Sequence, residues 1–161
     1  VCSSDLYGAQ LASPLSQEAI IKAIQAATHL AKADGRAGSF VLVDTHGETI
    51  ASYRMPGALP STYGFSKSKA VTAVGLGIAT DKMVAALPPK ILSNILTNQG
   101  GKYVIFPGGF PVYQNGQIIA GVAFGSTIVA TDSNVGNAKT PHQNGDVECA
   151  KAALAILESK V

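Results

Sequence analysis

Phe40-Val41-Leu42-Val43-Asp44-Thr45-His46-Gly47-Glu48-Thr49-Ile50-Ala51-Ser52-Tyr53-Arg54-Met55 is the stretch that decides the fold class. Four apolar residues closed by an acid (40–44) have the pattern of a buried strand. Thr45-His46-Gly47 supplies a turn, and residues 48–55 return as a second strand, so 40–55 reads as an antiparallel hairpin. Immediately upstream, residues 16–34 carry Ala19, Ile20, Ala23, Ile24, Ala27, Leu30 and Ala31 on one helical stripe, with Ser16 as N-cap and Gly35 as stop. Downstream, Pro56-Gly57-Ala58-Leu59-Pro60 breaks the chain, and an Ala/Lys/Ser segment from Thr62 to about Gly75 reads as a second helix.

Beyond it, Thr80-Asp81 is expected to cap a further helix, interrupted at Pro88-Pro89 and resumed from Ile91 to Leu96. Strands are expected at 104–106, 110–113 and 117–124, the last two joined by Gln114-Asn115-Gly116, whose Asn-Gly is a strong hairpin signal. Residues 125–145 are polar and without period, and are expected to form a long loop of functional importance. A helix over 147–158 closes the chain. The order of helix, hairpin, helices, hairpin and helix has no βαβ alternation. It predicts an α+β single domain with an antiparallel sheet of about five strands flanked by helices.

The composition fits one compact domain. Among 161 residues, 47% are hydrophobic and only 14% charged, and the mean hydropathy is +0.24, which excludes a disordered chain. Twelve basic against ten acidic residues leave a net charge of +2, too balanced for a nucleic-acid binder. No apolar run approaches the roughly 20 residues that span a bilayer, so no membrane insertion is expected. Tryptophan is absent and aromatics reach 6%, so small residues must build the core. A surface this poor in charge suits burial in a homodimer or higher homo-oligomer. Val1-Cys2-Ser3-Ser4-Asp5-Leu6 back-translate to a common sequencing adapter and are expected to be a sequencing or cloning scar, which makes 7–161 the domain and Cys149 the one native cysteine. The compartment, cytoplasmic or exported, stays open.

Signatures of phosphate-binding loops, nucleophile elbows and zinc cages are missing. The remaining ionisable residues are few. Asp44 is either the acceptor of an Asx-type turn or a carboxylate presented beside a pocket. Arg54 is either solvated or a fork for a carboxylate. Lys69, set among Ala70, Val71 and Ala73, is either a snorkelling edge residue or the receiver of an anion. His29, near the end of the first helix, is read as structural, because the helix dipole favours its proton. His46 in the turn and His142 in the long loop are either solvated or ligands to haem iron; Met55 and Cys149 are also chemically possible iron ligands, Cys149 otherwise packing as a small apolar residue of the last helix. Gly108-Gly109-Phe110-Pro111 allows a close backbone approach to a ligand or a neighbouring subunit.

Taken in order, Val-Asp-Thr-His-Gly (43–47), Tyr-Arg-Met-Pro-Gly-Ala (53–58), Lys-Ala-Val-Thr-Ala (69–73), Gly-Gly-Phe-Pro-Val (108–112), Ile-Ala-Gly-Val-Ala (119–123) and Gly-Asp-Val-Glu-Cys-Ala (145–150) resemble the GlcG/HbpS-like family. Its members are small haem-binding or haem-degrading proteins, related to the C-terminal domain of PduO-type corrinoid adenosyltransferases. The resemblance implies an oligomeric domain with a small-molecule pocket, lined by Arg54, Lys69 and Gly108, Gly109, Phe110 and Pro111. Haem is the ligand most often attached to the family, with corrinoid, ferric iron and small acids as lesser associations, and the family fixes no single iron ligand. On a haem-binding reading of this chain, Arg54 and Lys69 would meet the propionates, and His46 or His142 would hold the iron. The sequence departs from the family at 122–126, where Val-Ala-Phe-Gly-Ser replaces a Gly-Val-Ser-Gly-Gly-like stretch and an inserted loop precedes Asp146. The rival reading is an enzyme without an organic cofactor that acts on a small carboxylate or carbonyl compound. There Arg54 would anchor the acid, and Asp44, His46 or Lys69 would be general base.

Overall fold

The computed structural model describes residues 14–98, 100–126 and 142–159. In chain order the elements are α1 (Gln17–Ala33), β1 (Gly38–Val43), β2 (Thr49–Arg54), α2 (Ser61–Leu76), α3 (Met83–Ala86), α4 (Pro89–Asn98), β3 (Gly109–Gln114), β4 (Gln117–Ser126) and α5 (His142–Glu158). The four strands form one sheet in the order β2-β1-β4-β3, and every neighbouring pair is antiparallel.

Alternation along the strands sorts the core into two layers. Phe40, Leu42, Phe110, Val112, Val122 and Phe124 face α1 and α5. Val41, Val43 and Ala123 point the other way, to Ala70, Val71 and Val74 of α2. Helix α1 starts where expected, with Ser16 Oγ accepting from the Ala19 amide at 3.1 Å. Its buried residues are Ala19, Ala23, Ala27 and Ala31, one alanine per turn, and this smooth stripe lets α5 pack along it. On the opposite face α2 rides very close to the sheet. A Cβ on Gly121 would overlap the Ala70 carbonyl oxygen, and one on Gly109 would lie 2.5 Å from that of Lys69.

The α+β class, the antiparallel sheet and the central hairpin stand as read, with four strands in place of about five. Residues 104–106 are not a strand, because the Val104 amide donates to Thr72 Oγ1 at 2.9 Å, a side-chain partner in place of a ladder. Thr80 caps no helix. It is buried and exchanges bonds with Gly109, its amide donating to the carbonyl at 3.0 Å and its Oγ1 accepting from the Gly109 amide at 2.9 Å. The expected loop 125–145 is shorter at both ends. Gly125 and Ser126 extend β4 by pairing with Ser39 and Gly38, and α5 begins at His142, ahead of Gly145. That glycine sits inside the helix because a side chain there would overlap the Arg36 guanidinium. The rest of the expected loop (127–141) and the suspected scar (1–6) lie outside the described residues. No described helix is long and apolar enough to cross a membrane.

If close approach of α2 to the sheet sets the layer spacing, Gly121→Ala costs about 1–3 kcal/mol through overpacking. The expected readout is a lower urea midpoint at unchanged slope.

Candidate functional site

The residues singled out from the sequence are not brought into one pocket. Asp44 Oδ1 accepts from the amides of His46 (2.8 Å) and Glu48 (2.9 Å), so its carboxylate is committed to the turn. His46 is exposed on that turn. Arg54 lies at the other end of β2, roughly 17 Å away at the rise of a strand, exposed and donating from Nη1 to the Ala58 carbonyl at 3.3 Å. Lys69 is 2% exposed, and its ammonium is spent on Asp146 Oδ2 at 2.9 Å and the Phe124 carbonyl at 3.2 Å. This corrects both the snorkelling and the anion-receiving expectations. Gly108, at φ 109°, and Gly109 do serve close approach, but to the chain itself: a Cβ on Gly108 would lie 2.8 Å from the Phe124 carbonyl oxygen. Phe110 and Pro111 are buried within β3. His142 opens α5, and its side chain lies outside the described residues. The Asp44, His46, Arg54 and Lys69 constellation needed for a small-acid enzyme is therefore not assembled.

What Lys69 joins is a buried ionic cluster. Asp146, 1% exposed, accepts at Oδ1 from the Ser126 amide (3.0 Å) and hydroxyl (2.6 Å). Arg36 Nη1 lies 3.7 Å from the same oxygen and donates to Ser126 Oγ at 3.2 Å. Its Nε and Nη2 both reach Asp34 Oδ2 at 2.6 Å. Two cations and two carboxylates balance, as a buried cluster must. Sequence reading missed Arg36 and Asp146 as site residues; the available signal was an arginine two residues before a strand that is buried throughout, in a chain so poor in charge. One turn along α5 from Asp146, Cys149 packs in the core. Burial, and then the Asp146 charge, push its thiol up to about 12, so it is neutral and inert as a nucleophile or metal ligand at neutral pH.

A cavity of about 1000 Å³ opens on the other side of the sheet from Lys69, between α1 and the end of β2. Ala26, His29 and Ala33 sit three and four residues apart and so share one helix face. Tyr53 and Met55 form the facing wall, with Ala152 of α5 also at the lining. Alternation explains the choice: Tyr53 pairs with Phe40, on the α1 side, whereas Arg54 pairs with Ser39, whose hydroxyl meets Thr62 of α2. Met55 is pinned on both sides, its amide donating to the Gly38 carbonyl at 2.9 Å and its carbonyl accepting from Ala58 at 3.1 Å. Lys32 brings one cation to the rim. His29, read from sequence as structural, is exposed here and lines the cavity. Its signal was a polar ring on an alanine-rich helix face. Among the described residues no three His, Cys, Asp or Glu side chains converge on a metal ion, but an imidazole and a thioether in an apolar groove are a donor set that suits iron held by a macrocycle.

Two outcomes test the cluster. Lys69→Met leaves Asp146 short of a cation and is expected to cost about 3–5 kcal/mol in chemical denaturation. Cys149 is expected to resist alkylation at pH 8 in the native protein and react freely once unfolded. Because the folded thiol holds its proton to about pH 12 and the unfolded one releases it near 8.5, stability falls as pH rises between these values.

The same fold occurs in proteins of known structure. The chain superposes on a PduOC:haem complex with a TM-score of 0.74 at 24% identity, over 90% of this chain and 99% of that one, a likeness of fold alone. A double mutant of Streptomyces reticuli HbpS gives a TM-score of 0.71 at 28% identity, over 92% and 90% of the two chains. Over 95 residues, 58% of this chain, it is 30% identical to the corrinoid adenosyltransferase PduO of Citrobacter freundii, of which the match covers only 28%. The model of the haem-degrading HbpS-like proteins matches residues 15–140, most of the chain, and with the fold and motif order in agreement, this protein belongs to the HbpS-like family.

Proposed function

We propose that this protein binds haem, or a closely related tetrapyrrole, in the groove between α1 and the end of β2, with His29 as a ligand to the iron. The observation that carries this reading is His29 itself, a histidine exposed into a cavity of about 1000 Å³ that is otherwise lined largely by small apolar and aromatic side chains. Such a volume is at the upper end of small-molecule sites and accommodates a porphyrin. When bound, haem supplies redox and oxygen chemistry that no side chain offers. The chain's own part is to orient it. Ala26, Ala33 and Ala152 leave room for a flat ring, Tyr53 offers an aromatic wall, and Lys32 meets a propionate at the rim. This assigns the propionate contact to Lys32 in place of Lys69, which is consumed by Asp146. Self-association belongs to the same reading: Leu30 and Tyr53 at the groove are 38% and 44% exposed, and a second copy over them would complete the enclosure of the ring. The haem complex of a fold relative supports the reading.

Haem titration followed by visible absorbance tests it. A saturable, near-stoichiometric Soret shift is expected, weakened at least about tenfold (about 1.4 kcal/mol) in His29→Ala and retained in His46→Ala. A flat titration contradicts haem binding. Loss in His142→Ala with retention in His29→Ala would move the site to the start of α5.

A further inference from the structure

We infer that β2 is the surface on which two copies of this chain associate, its outer edge pairing antiparallel with β2 of the second copy about Tyr53. The inference goes beyond the haem reading, needs no haem, and gives the self-association named there its geometry.

The two edges of the sheet differ. At one edge stands β3, whose outward donors are used or removed. Gly109 exchanges both backbone groups with Thr80, donating to Oγ1 at 2.9 Å and accepting from the amide at 3.0 Å. Two residues on, Pro111 has no N–H, and the Tyr113 amide donates to Glu158 Oε1 at 2.9 Å. Devices of this kind keep an edge strand from pairing with another chain. At the other edge β2 has none of them. Thr-Ile-Ala-Ser-Tyr-Arg contains no proline or lysine, and among the described residues it pairs with β1 alone. Its open groups follow from alternation. The Met55 amide donates inward to the Gly38 carbonyl, so Tyr53 and Ala51 also turn their backbone groups to β1, whereas those of Ser52 and Arg54 point outward. Ser52, Tyr53 and Arg54 are all exposed.

Symmetry then selects the register. Opposed side chains of an antiparallel pair share a face, and a two-fold axis perpendicular to the sheet keeps every residue on its own face. The pairing must therefore centre on a residue opposite its own copy, the isologous arrangement. Centred on Ala51 or Ser52, one of the two outward residues falls opposite Ile50, where the pairing with β1 shifts register. Centred on Arg54, Ser52 meets Pro56, which has no N–H. Centred on Tyr53, Ser52 of each copy meets Arg54 of the other, and the outward amides and carbonyls of both residues are matched. The two Tyr53 side chains then stand opposite each other as a non-hydrogen-bonded pair, Cα atoms about 4.5 Å apart, a position where aromatic pairs stabilise a sheet. Tyr53 lies on the α1 side of the sheet and lines the groove, so the second copy adds its own Tyr53 to the wall of that site.

The test uses haem-free protein in a Cys2→Ser background, with mass read by light scattering and cross-linking read on non-reducing gels. The other cysteine, Cys149, is buried. Twice the mass of one chain, or an even multiple, is expected. Tyr53→Cys is expected to cross-link under mild oxidation, since its Cα separation suits a disulfide. Ser52→Cys is expected not to, because its copies stand on the order of 8 Å apart at the strand spacing and rise, beyond the roughly 7 Å a disulfide spans. Ser52→Pro, which removes an outward amide as Pro111 does on β3, is expected to halve the mass at an unchanged circular dichroism spectrum. Should that variant misfold, the cysteine pair decides. Monomeric wild type, cross-linking through Ser52→Cys but not Tyr53→Cys, or a folded Ser52→Pro that keeps its mass overturns the inference. A monomer that binds haem overturns this interface alone, whereas a Tyr53-paired dimer with a flat haem titration overturns the haem reading alone.

Discussion

A single buried carboxylate organises this molecule. Asp146 lies at the start of α5 and is 1% exposed, and stripping a carboxylate of water costs several kcal/mol unless its oxygens are matched. Here every match comes from a different part of the chain. Lys69 reaches it from α2, the Ser126 amide and hydroxyl from the end of β4, and Arg36 from the link between α1 and β1. Helices on both faces of the sheet are thereby tied at one end of its two central strands, β1 and β4. The neighbouring glycines follow from this constraint, since the guanidinium occupies the space a side chain at Gly145 would need.

The same network holds the walls of the groove. Arg36 and Asp34 fix the C-terminal end of α1, and His29 stands five residues earlier, about 7.5 Å along the helix axis. Two residues beyond Arg36, Gly38 begins β1 and binds the Met55 amide. The two walls that present the imidazole and the thioether are thus set by one short connection, residues 34–38. Rigid elements on both sides of a site hold ligand geometry better than loops do.

Much of the fold was legible in the sequence because its signals were local. The hairpin, the alanine stripe of α1 and the Asn-Gly turn each depend on residues within one element, and each stands in the structure. Legibility failed where long-range partners decide. Residues 104–106 have strand-like composition but bond to Thr72, and Thr80 looks like a cap but serves Gly109. The site failed in the same way. Lys69 and the Gly108–Gly109 pair carry family motifs and look like ligand contacts, yet Lys69 is bonded to Asp146, 77 residues away along the chain, and the two glycines lie against the Phe124 and Lys69 carbonyls. His29 looked structural because its helix gives no sign that Tyr53 and Met55 will stand opposite it. Only strand pairing of Tyr53 with Phe40 reveals that.

The central claim is the location of the haem site, and paramagnetic NMR addresses it most directly. Adding ferric haem to isotope-labelled protein is predicted to shift or broaden amides around His29 in α1 and at Tyr53 and Met55, while those of the Asp44–Glu48 turn and the interior of α2 stay in place. Perturbation centred on His46, or on α2 around Lys69, with α1 untouched would contradict the account.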